Sequence, residues 1–255
     1  SGMKVVPCNA AISACEKGRR WEHALSLLRL MAWRAVRRDE ISYSSAVSAC
    51  EKCHRWECAL QLLAELQGGK LALDTVGYSA AMSACAGGGR WDWSLQLLEE
   101  MRRRSVPLDV VAYSAAASAC ESALRWEEAL GLLERCQRDG LTPDAAMYDA
   151  VVSACAGGGR WELSLELLRR MCAQRVVLGT YTFTAAISAC TPAGRWEHTM
   201  ALLASMPEHG CKPTLETYNA AICTCQVALR HDLAAQLLEG MRAQGVEPDL
   251  ITSNA

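Results

Sequence analysis

The chain has 255 residues, of which 51% are apolar, and 26 basic against 28 acidic side chains leave a net charge of −2. Such a composition supplies ample core and excludes a disordered or collagen-like chain. The near-neutral balance also counts mildly against a partner held by bulk charge, because phosphate binding usually leaves a basic excess, although a basic stripe inside a neutral total stays open.

From Ser13 the chain reads SACEKGRRWEHAL, and the phrase returns as SACEKCHRWECAL at Ser48, SACAGGGRWDWSL at Ser83 and SACESALRWEEAL at Ser118. It returns again as SACAGGGRWELSL at Ser153 and SACTPAGRWEHTM at Ser188, with a worn copy, CTCQVALRHDLAA, from Cys223. Every step is 35 residues, without insertion or deletion. A fixed period of this size marks a repeat array, here a single one spanning residues 1–255. Its repeats are 5–39, 40–74, 75–109, 110–144, 145–179, 180–214 and 215–249, and residues 250–255 open an eighth, as if cut from a longer array.

The third repeat shows the logic of all. From about Val76 to Ala86 small and apolar residues cover nearly every face, as in a helix sandwiched between neighbours, with Ala80, Ala81, Ala84 and Cys85 small enough for close backbone approach. Gly87 to Gly89 break that helix. A second helix starts near Trp91, with Asp92 in its first turn, a stripe of Leu95, Leu98 and Met101, and Arg102 to Arg104 at the end that favours cations. A loop with Pro107 leads onward. Helix, turn, helix, loop, seven times over, predicts an all-α fold in which each repeat buries its apolar faces on the next.

Seven of the fourteen cysteines (Cys15, Cys50, Cys85, Cys120, Cys155, Cys190, Cys225) recur at one position of the first helix. Equivalent sites on neighbouring helices lie roughly 9–10 Å apart, beyond the reach of about 7 Å between the Cα atoms of a disulfide. They read as buried apolar fillers in a reducing compartment. No apolar run is long enough to span a membrane, and no signal or transit segment stands out.

Arg-Trp recurs from Arg20-Trp21 to Arg195-Trp196 and becomes Arg230-His231 in repeat seven. The indole reads as wedged between repeats rather than stacked on a ligand. Its arginine has two readings, a cap on the carbonyls of the inter-helix turn or an ion pair with the acidic residue after the tryptophan. The GGGRW segments lack the Lys-Ser/Thr ending and the preceding strand of a phosphate loop, so they read as turns. Cys50-x-x-Cys53 and Cys223-x-Cys225 have no second ligand pair at metal spacing, so no metal or other cofactor is expected. No catalytic constellation emerges, neither a Ser/His/Asp order nor a deaminase His-x-Glu with downstream Cys-x-x-Cys, and the chain reads as no enzyme.

The 35-residue period, the aromatic opening the first helix (Tyr43, Tyr78, Tyr113, Tyr148, Phe183, Tyr218), the AL.LL..M pattern of the second and the endings Pro143-Asp144 and Pro248-Asp249 resemble pentatricopeptide repeats. Tetratricopeptide repeats, the near rival, have a period of 34 and lack these markers. The resemblance covers all seven repeats and implies a right-handed superhelical solenoid of helix-turn-helix repeats. It further implies binding of single-stranded RNA in mitochondria or chloroplasts, in RNA processing, stability or translation, one base to a repeat.

In that family two residues per repeat choose the base, the one after the aromatic and the last of the repeat. The resemblance therefore nominates Asn9 with Asp39, Ser44 with Asp74, Ser79 with Asp109, Ser114 with Asp144, Asp149 with Gly179, Thr184 with Thr214, and Asn219 with Asp249. The Asn/Asp pairs favour uracil, Ser/Asp resembles the guanine class, and the pairs of repeats five and six are not established ones. The implied target is U-G-G-G-N-N-U from the N-terminal end. Val6, Ile41, Val76 and Val111 match the apolar residue that packs on base faces, whereas Ala146, Tyr181 and Glu216 depart from it. Lys17 and Lys52 match the family's phosphate contact, and Gly87, Ser122, Gly157, Pro192 and Val227 replace it afterwards. Scarce lysines and acidic balance suit a second reading, a structural or scaffold subunit of a large organellar complex that binds protein along the same groove. The Asn/Asp pairs suit RNA.

Overall fold

A computed structural model describes residues 4–68 and 73–248, so Asp249 and the opening of an eighth repeat at 250–255 lie outside the described residues. The described residues form fourteen α-helices and no strand. The first helices of the seven repeats are α1 (Val5–Lys17), α3 (Glu40–Glu51), α5 (Thr75–Gly87), α7 (Val110–Ser122), α9 (Ala145–Gly157), α11 (Thr180–Cys190) and α13 (Leu215–Val227). The second helices are α2 (Trp21–Trp33), α4 (Trp56–Gly68), α6 (Trp91–Arg103), α8 (Trp126–Arg138), α10 (Trp161–Ala173), α12 (Trp196–Ser205) and α14 (His231–Ala243). Each first helix starts on the first residue of its 35-residue repeat, and each second helix on the tryptophan or, in repeat seven, on His231. This is the all-α, helix-turn-helix architecture of a helical-repeat solenoid.

The helix ends follow from local chemistry. The side chains of Asp39, Asp74, Asp109, Asp144 and Thr214 accept the backbone N–H three residues on, capping the first helix of the next repeat. At the other end Gly89 takes φ +64°, its N–H reaches the Ala86 carbonyl, and the Arg90 N–H reaches back to the Cys85 carbonyl at 2.9 Å. That pair of bonds is a Schellman closure. The same left-handed position holds Gly159 and Gly194, but also Arg19, His54, Leu124 and Leu229. Repeat six departs from the pattern in its second helix. There α12 stops at Ser205 and Met206–His209 form a 3-10 turn, because Pro207 has no N–H to continue the α ladder.

Two compact units divide the chain, residues 1–123 with 134–142 and residues 124–133 with 143–255. In the first, α1, α3, α5 and α7 pack in succession, and α2, α4 and α6 each pack on their own first helix and on the next one. In the second, α9, α11 and α13 succeed one another, with α10 and α12 bridging in the same manner. The small-residue face does what the sequence implies: Ala81, Ala84, Ala116 and Ala119 are fully buried. Tyr43, Tyr78, Tyr113, Tyr148, Phe183 and Tyr218 are buried as well, so the aromatic that marks each repeat is a core residue. Burying one such side chain is worth about 1.5–3 kcal/mol, more than any single surface contact contributes.

None of the fourteen cysteines is in a disulfide, and six of the seven recurrent ones are buried, Cys15 being only partly so. Burial pushes the thiols of Cys50 and Cys85 up to about 12 and that of Cys155 up to about 11. Such thiols are protonated fillers rather than nucleophiles. No helix is long and apolar enough to cross a membrane among the described residues.

Candidate nucleic-acid interface

The residue that ends each repeat is at once the N-cap of the next helix and a neighbour of the residue that follows the aromatic. In repeat one, Asn9 Nδ2 donates to both carboxylate oxygens of Asp39, at 3.0 and 3.1 Å. The Ser42 N–H donates to Asp39 Oδ1 at 2.9 Å, and the Ser42 hydroxyl lies 2.6 Å from Asn9 Oδ1 and 2.7 Å from Asp39 Oδ1. Burial works to raise the Asp39 pKa, but the bonds from Ser42 and Asn9 outweigh it and hold the carboxyl below its usual value. In repeat two, Ser44 Oγ donates to Asp74 Oδ1 at 3.1 Å while that oxygen accepts the Gly77 N–H at 2.8 Å.

Repeats three to seven differ. Ser79 Oγ is buried without a hydrogen-bond partner among the described residues, and Asp109 is occupied in capping α7 through the Ala112 N–H at 2.8 Å. The structure thus does not join Ser79 to Asp109. Ser114 is buried, and Asp144 caps α9. Asp149 accepts from the Thr182 hydroxyl at 2.5 Å, whereas Gly179 offers only its N–H, which reaches the same hydroxyl at 3.2 Å. Thr184 and Thr217 hydroxyls meet at 2.7 Å, and Thr217 also meets Thr214 at 3.1 Å. Asn219 is half-buried on α13, and its nominated partner Asp249 lies outside the described residues.

Beside these polar pairs stand apolar side chains that the fold leaves uncovered. Val6, Ile41, Val76 and Val111 share one register position on α1, α3, α5 and α7 and are 78%, 61%, 63% and 58% exposed. An isolated exposed valine means little, but four at one register beside polar pairs form a patterned surface. In the second compact unit that register holds Ala146, Tyr181 and Glu216, all exposed, and the Tyr181 hydroxyl donates to Ser153 Oγ at 3.1 Å.

Of the two lysines nominated for phosphate, Lys17 is exposed, while Lys52 is already paired with Glu16 at 2.7 Å. No group of three or more His, Cys, Asp or Glu is placed to hold a metal among the described residues.

The Arg-Trp element belongs to the turns. Arg55, Arg90, Arg160, Arg195 and Arg230 each lie over the indole of the preceding repeat, Trp21, Trp56, Trp126, Trp161 and Trp196, at 4.2–4.7 Å from the ring centroid. Arg90 and Arg230 also grip Asp92 and Asp232 with two hydrogen bonds each. Of the two sequence readings for the arginine the acidic partner holds in those repeats, and the stack on the preceding tryptophan is additional. The hydroxyls of Ser42, Thr182 and Thr217, third in their repeats, escaped the sequence reading. Their signal is a spacing of 33 residues from Asn9, Asp149 and Thr184, which only the fold makes meaningful.

A family model described as Pentatricopeptide repeat domain matches residues 96–160 and 166–227, and one described as PPR repeat matches residues 6–34, 76–106 and 146–176, together more than half of the chain. No curated protein matches it. Among solved structures, the pentatricopeptide repeat protein PPR10 from maize is 25% identical at a TM-score of 0.66, over 97% of this chain and 35% of its own. PPR10 in complex with an 18-nt psaJ RNA element is 22% identical at 0.54, over 100% of this chain and 41% of its own. The PPR domain of Arabidopsis thaliana protein-only RNase P 1 in complex with tRNA is 16% identical at 0.60, over 68% and 91%. The chain spans about a third of the length of maize PPR10.

Proposed function

The chain belongs to the pentatricopeptide repeat family, and from that premise we propose that it binds single-stranded RNA along its first helices, one base to a repeat, as one continuous array. The observation that carries this reading is the set of exposed Val6, Ile41, Val76 and Val111 at one register, beside the Asn9–Asp39 and Ser44–Asp74 contacts. Single-strand recognition needs apolar surface for base faces and polar groups for base edges, and repeats one and two offer both within one turn of helix. PPR10, which shares this fold, is held with an 18-nt RNA element. Base selection rests with Asn9 and Asp39, Ser44 and Asp74, Ser79 and Asp109, and Ser114 and Asp144. Repeats five to seven add Asp149, Thr184 and Thr214, and Asn219 with Asp249. The chain acts as a binder rather than an enzyme, on organellar transcripts.

Titration of the chain against U-G-G-G-A-A-U and a scrambled oligonucleotide tests the reading. Tighter binding of the first supports it, and equal affinities remove sequence reading. One contact favours the protein-scaffold alternative: Lys52 is committed to Glu16 instead of facing outward. A chain that captures protein and binds neither oligonucleotide would fit that reading.

A further inference from the structure

Three repeats share a contact that base-pair codes of two residues leave out. The third residue of repeat two, Ser42, lies 2.6 Å from Asn9 of repeat one. The third residue of repeat six, Thr182, lies 2.5 Å from Asp149 of repeat five, and the third of repeat seven, Thr217, lies 2.7 Å from Thr184 of repeat six. All three hydroxyl residues are fully buried. Where the third residue is Gly77, which carries no hydroxyl, Ser44 meets Asp74 alone.

We propose that a hydroxyl at the third position of a repeat is a positioning residue for base selection in the repeat before it, and this rests on the RNA reading above. Asn9 shows why. A side-chain amide can turn over and exchange its donor for its acceptor. Here the Asp39 carboxylate, which only accepts, takes Nδ2 and sets the orientation, and the Ser42 hydroxyl, donating to Oδ1, holds the amide in it. Uracil and cytosine differ by that same exchange, a carbonyl and N–H in one and an amino group and bare nitrogen in the other. A locked amide separates them, and a free one serves either.

The same contact recurs at repeat five. Gly179 supplies no carboxylate, so Thr182 takes over the hold on Asp149. An aspartate carboxylate only accepts, so the base opposite it must present a donor, an exocyclic amino group or a ring N–H.

The experiment measures fluorescence anisotropy of labelled U-G-G-G-A-A-U and C-G-G-G-A-A-U with the full chain, its Ser42→Ala and Ser42→Thr variants, and thermal denaturation of each. One hydrogen bond of ordinary strength sets the scale, so the U-over-C preference should fall roughly three- to tenfold in Ser42→Ala and persist in Ser42→Thr. Asn9, Asn219 and Asn254 are the chain's three asparagines, so 15N-asparagine labelling isolates the Asn9 amide, whose resonance should move in Ser42→Ala. A lower melting temperature with an unchanged base preference makes Ser42 a helix cap only and overturns the proposal while leaving the RNA reading intact. A wild-type chain without U-over-C preference fails the RNA reading itself, and the proposal with it. For repeat five, Thr182→Val should alter the relative affinities for A and U at the fifth base of the oligonucleotide, and unchanged relative affinities there also count against the proposal.

Discussion

The guanidinium of Arg90 lies 4.6 Å from the centroid of the Trp56 indole, one repeat earlier in the chain. Close against the same ring lies Gly88, where a Cβ would come within 2.2 Å of Trp56 Cδ1. The indole thus meets both a cation and a bare backbone of the next repeat, and these contacts tie the two repeats together. Neighbouring Gly89 has open space around its Cβ direction but a φ of +64°. Gly88→Ala should therefore cost about 1–3 kcal/mol by forcing the ring aside, and Gly89→Ala about 1–2 kcal/mol from left-handed strain alone. The pairing with Trp56 separates the two. In urea titrations Gly88→Ala should cost much less in a Trp56→Ala background, whereas Gly89→Ala should cost the same in both.

The small faces of α5 and α7 make a second prediction. Ala81 and Ala116 are fully buried where neighbouring first helices meet. Leucine at either position has no room, and each change should lower stability by about 1–3 kcal/mol. An unchanged denaturation midpoint in both variants would mean that these helices do not pack as described.

Buried thiols and phenols set the alkaline limit. Cys50 and Cys85 rise from 9.0 to about 12, and Tyr78 from 10.0 to about 12, through burial first and through the Glu100 carboxylate that accepts from its hydroxyl. These groups hold their protons more tightly folded than unfolded. Their contribution to stability is complete below the unfolded value near 9.0 and is lost as pH rises toward about 12. The urea midpoint should accordingly fall between pH 9 and 11. Exposed Cys172 should react with a thiol reagent at neutral pH well before Cys50, Cys85 or Cys155.

Much of this was legible in the sequence, because a 35-residue period repeats helix starts, turns and core faces in register. Two things were not. The left-handed turn position announces itself at Gly89 and Gly159, but Arg19, His54, Leu124 and Leu229 adopt the same φ with no glycine to mark it. There the Schellman closure forces the backbone and the side chain tolerates it. The Arg90–Trp56 stack and the Ser42–Asn9 bond join residues 34 and 33 apart. No local pattern reveals them, since they exist only once the repeats are stacked.

The uncovered valines separate binding from folding. Val76 is 63% exposed and packs on little, so Val76→Asp should leave thermal stability within about 0.5 kcal/mol. On the RNA reading it removes one base contact worth about 1–3 kcal/mol and adds a charge that repels phosphate. An oligonucleotide affinity unchanged by Val76→Asp would take the exposed row out of the binding surface. Asn9→Thr is the complementary test, expected to shift preference at the first base only.

Salt dependence is the last expectation, and it follows from how few cations the first helices carry. Lys17 is the one basic residue within α1, α3, α5, α7, α9, α11 and α13, and Lys52, just past α3, is neutralised by Glu16. Affinity for a single strand falls with salt by a slope of about −0.7 for each phosphate neutralised. With one or two such contacts the slope should lie near −1, far shallower than that of a basic groove. Lys17→Ala should flatten it further, whereas Lys52→Ala should change it less and instead free Glu16. A steep slope that neither variant alters would place the phosphate contacts on the arginine-rich second helices, and the strand on the other side of the array.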